Sequence, residues 1–156
     1  MADPTGADPQ AYDELSMFHE NAAEAGLDWN GPPTVARVET PLGDGRSLSA
    51  LRWGSEPPEL VLLHGGGQNA HTWDTVALAL GRPLLAVDLP GHGHSDDVSP
   101  DAALSPRSFA ADVATVVEAH AADAALVVGM SLGGMTAMQL AVLRPDLVRK
   151  LMMVDV

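Results

Sequence analysis

The chain has 156 residues, 46% of them hydrophobic and 19% charged, which fits one globular domain. Eight Lys and Arg stand against 21 Asp and Glu, and the net charge of −13 argues against nucleic acid and anionic membranes as partners. Cysteine is absent, which excludes disulfides, a thiolate nucleophile and a cysteine-based zinc site.

In chain order, residues 1 to about 9 read as a disordered lead. This acidic stretch has no apolar signal-peptide core and no run reaches membrane-span length, so a cytoplasmic location is expected. Asp8 and Pro9 suit the cap and first position of a short helix. Tyr12, Leu15, Phe18 or His19, and Ala22 continue it at helical spacing, and Gly26 stops it. Its apolar face is thin, so the helix is expected to dock on the main domain without a chemical role. Asn30-Gly31-Pro32-Pro33 is a linker, dividing a lead of residues 1–33 from a domain of 34–156.

Val35–Thr40, a turn at Gly43-Asp44-Gly45, and Ser47–Trp53 predict a hairpin. Leu60–Leu63 is a buried strand, Trp73–Leu80 a short helix and Pro83–Val87 the next strand. A polar loop, Asp97–Ser105, leads to Ser105-Pro106-Arg107-Ser108, which caps a helix running to about His120. Ala125–Val128 is a strand. The helix after it ends near Leu143, before Pro145. Leu147–Val154 is predicted as a last strand with Asp155 at its exit. No internal repeat is present.

Three of these strands end in glycine-rich turns. Gly129-Met130-Ser131-Leu132-Gly133-Gly134 sits between the strand Ala125–Val128 and a helical pattern. A serine flanked by glycines two residues away on each side, at a strand-to-helix hinge, is a nucleophile elbow. The turn leaves no room for side chains at Gly129 and Gly133, and Gly134 permits close packing. Ser131 is thereby a candidate nucleophile, and the Leu132 amide, at the positive end of the new helix, a candidate oxyanion donor. The strand Leu60–Leu63 ends in His64-Gly65-Gly66-Gly67, a pattern whose loop amides complete an oxyanion hole. Gly66 or Gly67 would be the second donor, with His64 and Gly65 shaping the loop. The strand Pro83–Val87 exits through Asp88-Leu89-Pro90-Gly91-His92-Gly93-His94-Ser95.

With these three motifs and Arg144-Pro145, the chain from about Val35 to Val156 resembles the α/β-hydrolase family. The resemblance implies an α/β fold: a mostly parallel sheet with helices on both faces. It also implies a Ser–acid–His triad in that chain order, and acyl transfer to water through an acyl-enzyme. The substrate expected is a small ester, lactone, thioester or related carbonyl compound. Serine at the elbow argues against haloalkane dehalogenase or epoxide hydrolase chemistry. No cofactor or metal is implied, because the sequence has no metal-ligand cluster and no strand-linked phosphate cradle.

The chain departs from the family's pattern in its histidines. His19, His64, His71, His92, His94 and His120 all precede Ser131, so the family order puts the base beyond residue 156. His64 is expected to be structural, His92 and His94 to stabilise their turn, and His71 and His120 to pack or lie at the surface. Asp155 fits the earlier of two family positions for the acid, but reads first as a strand-end aspartate capping the next segment. Asp88 is expected to fix its loop and Asp74 to open a helix. The uncovered apolar strand at the C-terminal end reads as the edge of an N-terminal portion, incomplete and weakly active or inactive alone. The alternatives are a non-catalytic small-molecule binder of this fold, and a cofactor-free haloperoxidase or acyltransferase.

Overall fold

The structure is a computed structural model that describes residues 12–156; the readings of Asp8 and Pro9 lie outside the described residues. Six strands form one sheet: β1 Val35–Pro41, β2 Ser47–Trp53, β3 Leu60–Leu63, β4 Leu84–Val87, β5 Leu126–Met130 and β6 Leu151–Val154. Their order is β1-β2-β4-β3-β5-β6. β1 pairs antiparallel with β2, and β2 with β4; β4, β3, β5 and β6 run parallel.

The continuous apolar runs of β3, β4 and β5 follow from burial on both faces, which parallel strands require. Alternate side chains divide between two cores. Val61, Leu63, Leu85, Val87 and Val127 face helices α3 (Pro106–His120) and α4 (Leu132–Leu143). Leu62, Leu84, Ala86 and Val128 face Phe18 of α1 (Phe18–Glu24), Ala77 of α2 (Asp74–Leu80) and the 3₁₀ turn Ala70–Trp73. Helices thus cover both faces.

Helix starts and stops follow local chemistry. Ser105 and Ser108 form a reciprocal capping box at the start of α3, with Pro106 at its first position. Gly26, at φ +67°, ends α1: Leu27 N–H bonds Ala22 O at 2.9 Å and Gly26 N–H bonds Ala23 O at 3.1 Å.

Three boundaries differ from the sequence reading by three residues or more. The leading helix begins at Phe18; of the periodic set Phe18 and Ala22 are buried, Leu15 is half-buried against the same core ahead of the helix, and Tyr12 is exposed. The helix expected from Trp73 begins as the 3₁₀ turn from Ala70, which Asn69 opens by accepting His71 N–H. The last strand starts at Leu151, not Leu147: Leu147 is buried in the α3/α4 core, in the turn that follows α4.

The N-terminal segment is held by charge as well as by Phe18. The Glu14 carboxylate takes two bonds from Arg37, at 2.6 and 2.7 Å, and lies 3.2 Å from His71 Nε2 and 3.4 Å from His94 Nε2. The Arg37 guanidinium holds the Glu14 carboxyl down at about 2.

Candidate active site

β3, β4 and β5 are parallel neighbours, so their exits share one edge of the sheet, the edge where open α/β sheets place ligands. Leu63 pairs in register with Gly129, which sets the His64–Gly67 loop beside the Ser131 turn. A Cβ built on Gly65 would lie 3.6 Å from Ser131 Cβ, and one on Gly66 would lie 3.8 Å from Leu132 Cδ2.

Ser131 stands between β5 and α4 with φ +48° and ψ −115°, a strained backbone for a residue with a side chain. The cause is steric. A Cβ on Gly129 would collide with the Gly133 carbonyl, and one on Gly133 with the carbonyls of Leu63 and His64. The chain therefore turns in the space of three backbones. Ser131 N–H bonds Val154 O of β6 at 3.0 Å, and Ser131 O accepts Met135 N–H at 3.0 Å, starting α4. Its side chain is exposed, and Ser131 Oγ makes no hydrogen bond among the described residues.

The amides beside it are unequally committed. Gly65 N–H donates to Gln68 Oε1 at 2.8 Å, and Gly67 N–H donates to His92 Nε2 at 3.2 Å. Neither Gly66 N–H nor Leu132 N–H has an acceptor among the described residues. The sequence left Gly66 or Gly67 as the second donor; in the structure the Gly67 N–H is already bonded to the His92 imidazole. Gly66 and Leu132 are the two free donors, and Leu132 adds the positive end of the 12-residue α4.

The six histidines are used elsewhere. His64 is fully buried; its Nδ1 donates to Gly65 O at 2.7 Å and its Nε2 accepts Leu89 N–H at 3.0 Å. Burial pushes its pKa below the ordinary value. His92 spans the loops after β3 and β4, with Nδ1 donating to Pro90 O at 2.9 Å. His71 bonds Asp74 at 2.8 Å, which raises its pKa. His120 meets Thr40 Oγ1 at 2.9 Å, His94 faces Glu14, and His19 packs edge-on against Trp29. No histidine bonds Ser131 among the described residues.

Asp88 is wholly buried and does hold its loop. It accepts Ala70 N–H at 2.6 Å, His94 N–H at 3.0 Å and Arg37 Nη1 at 2.8 Å. A Cβ on Gly93 would strike this carboxylate, which is why glycine sits there. Asp74 opens α2 as expected. Asp155 leaves β6 with φ +51°, directly after the residue that bonds the Ser131 amide. Gln68 was not legible in the sequence: glutamine after a glycine run carries no signal until the turn is seen.

A cavity of about 390 Å³ adjoins this edge, walled by Pro90, His92, Leu104, Pro106, Phe109 and Leu132. Another, of about 430 Å³, lies at the opposite end of the sheet, where Trp53 and Pro83 sit, away from Ser131. No group of three or more potential metal ligands occurs among the described residues, and none of their helices is long and apolar enough to cross a membrane.

A sequence profile described as alpha/beta hydrolase fold matches residues 58–156. The chain is 52% identical over 145 residues to esterase Rv0045c of Mycobacterium tuberculosis, covering 92% of this chain and 46% of that protein. A solved structure of that esterase superposes with a TM-score of 0.83 at 52% identity, covering 94% of this chain and 48% of the other. The pimeloyl-[acyl-carrier protein] methyl ester esterase of Pectobacterium carotovorum is 38% identical over 112 residues, covering 69% of this chain and 41% of that protein. The chain spans less than half the length of these curated relatives.

Proposed function

The chain belongs to the α/β-hydrolase family, and from that premise we propose that it carries the nucleophile and oxyanion hole of a serine hydrolase acting on a small carboxylic ester or thioester. The observation that carries this reading is the exposed Ser131 at φ +48° beside two uncommitted amides, Gly66 and Leu132. The names of the relatives, both esterases, favour ester over lactone chemistry.

In this mechanism Ser131 Oγ loses its proton to a base and attacks the substrate carbonyl. The carbonyl oxygen becomes anionic and receives the Gly66 and Leu132 N–H groups. Each such donor is worth about 3–4 kcal/mol of transition-state stabilisation. The tetrahedral intermediate collapses with loss of the alcohol or thiol, and water then releases the acyl group from Ser131. None of the six histidines is the base, since each has another partner or lies elsewhere; on this reading the base comes from outside these residues. Asp155 is the acid proposed to orient that base. Its left-handed backbone at the exit of β6 is the kind of strain found at functional sites. The cavity beside Leu132, walled mainly by apolar side chains, takes one arm of the substrate.

The test is hydrolysis of p-nitrophenyl esters by the natural polypeptide that carries this chain, with and without Ser131→Ala. Activity that survives the substitution contradicts the proposal. A protein that binds an ester without turnover, and whose Ser131 takes no fluorophosphonate, is the binding module of this fold instead.

A further inference from the structure

The His64–Gly67 loop contains three consecutive glycines, so side chains do not dictate where its peptide planes point. Hydrogen bonds do. A trans peptide is planar, and its C=O and N–H point in opposite directions. In the peptide joining Gly65 to Gly66, the carbonyl oxygen accepts His64 Nδ1–H at 2.7 Å and Gln68 N–H at 3.2 Å. That fixes the opposite direction for Gly66 N–H. In the peptide joining Gly66 to Gly67, the N–H is held by His92 Nε2 at 3.2 Å, which turns the Gly66 carbonyl the other way.

The second anchor has a specific consequence. If the Gly66–Gly67 peptide turned over, the Gly66 carbonyl oxygen would take the place of the Gly67 N–H and face the lone pair of His92 Nε2, and the Gly67 N–H would become a second free donor in the loop. At φ +72°, Gly67 has the freedom for such a turn. His92 opposes it. Its own ring is held by Pro90 O on Nδ1, lies 5.1 Å from the His64 ring and 6.4 Å edge-on from Phe109, and forms part of the cavity wall beside Leu132. One imidazole therefore ties the exit of β4 to the exit of β3.

We propose that His92 is a positioning residue of the oxyanion hole: as the neutral, Nδ1-protonated tautomer it captures Gly67 N–H, locks the Gly66–Gly67 peptide and leaves Gly66 N–H as the loop's single free donor. The oxyanion part rests on the function proposed above; the Gly67–His92 lock does not. The groups facing the ring are His64 on the β3 exit and Phe109 on α3, with Asp97 on its own loop in the same cavity wall.

The experiment is ¹⁵N NMR on the natural polypeptide that carries this chain. A scalar coupling across the hydrogen bond between Gly67 N and His92 Nε2, with ring nitrogen shifts of the Nδ1-protonated tautomer, is expected. Gly67 amide exchange should accelerate about tenfold in His92→Leu and stay near wild type in His92→Gln, whose side-chain oxygen can still accept. In the natural polypeptide, His92→Leu should lower kcat for a p-nitrophenyl ester about tenfold with little change in KM, and His92→Gln should recover most of it. An Nε2-protonated ring, no coupling, or Gly67 exchange unchanged in His92→Leu overturns the lock. Loss of KM alone overturns the positioning role. The spectra do not involve Ser131, so a Ser131 that resists fluorophosphonate contradicts the proposed function without altering them.

Discussion

Replacing Asp88 with alanine separates a loop-fixing carboxylate from a catalytic one. Asp88 is fully buried and accepts from Ala70 N–H at 2.6 Å and His94 N–H at 3.0 Å, besides pairing with Arg37 at 2.8 Å. Alanine leaves those two amides without their acceptor, at about 1–3 kcal/mol for each that remains buried. Arg37 keeps Glu14 and Ser49 Oγ, so its part of the loss is smaller than the 3–5 kcal/mol typical of a broken buried pair. The sum is a destabilisation of about 4 kcal/mol, a large share of a small domain's stability. Asp88→Asn keeps one acceptor but sets an N–H₂ group either against Ala70 N–H or against both Arg37 and His94 N–H, and should cost about 2 kcal/mol. Urea unfolding followed through the buried Trp53 and Trp73 measures both. A cost below about 1 kcal/mol for Asp88→Ala, with unchanged denaturant slope, refutes the loop-fixing account.

Three other outcomes follow from the same structure. Gly133→Ala should fail to fold or lose at least about 3 kcal/mol, since its Cβ meets the Leu63 and His64 carbonyls, whereas Gly66→Ala should be tolerated in thermal melts. Glu14 has a folded pKa of about 2 against 4.5 unfolded, so its contribution is complete above pH 4.5 and lost as pH falls toward 2. Glu14→Gln should flatten that part of the acid-unfolding curve. His71 has a raised pKa, so its contribution is complete below pH 6.5 and lost as pH rises through the folded value; His71→Phe should remove that loss in urea titrations across neutral pH.

Most of the sheet was legible because burial on both faces forces runs such as Leu60–Leu63 and Leu84–Val87 into unbroken apolar stretches. The Ser131 turn was legible for a steric reason: only glycine fits at 129 and 133, and that demand is written in the sequence. The α1 start was not, since periodicity cannot show that Tyr12 points to solvent while Glu14 turns inward to Arg37. The choice between Gly66 and Gly67 was hidden as well. Both are glycines in one loop, and the difference lies in a bond to His92, 25 positions along the chain. The β6 start was misread because Leu147 is as apolar as a strand residue but is buried from a turn.

The central claim is that Ser131 attacks and that Gly66 and Leu132 receive the charge. A crystal structure of the natural polypeptide after reaction with a fluorophosphonate tests it directly. The account predicts phosphorus bonded to Ser131 Oγ, with the phosphoryl oxygen about 2.7–3.1 Å from both the Gly66 and Leu132 nitrogens and Gly67 N–H still on His92. Phosphorus on another residue, or an oxygen held by Gly67 in place of Gly66, contradicts it.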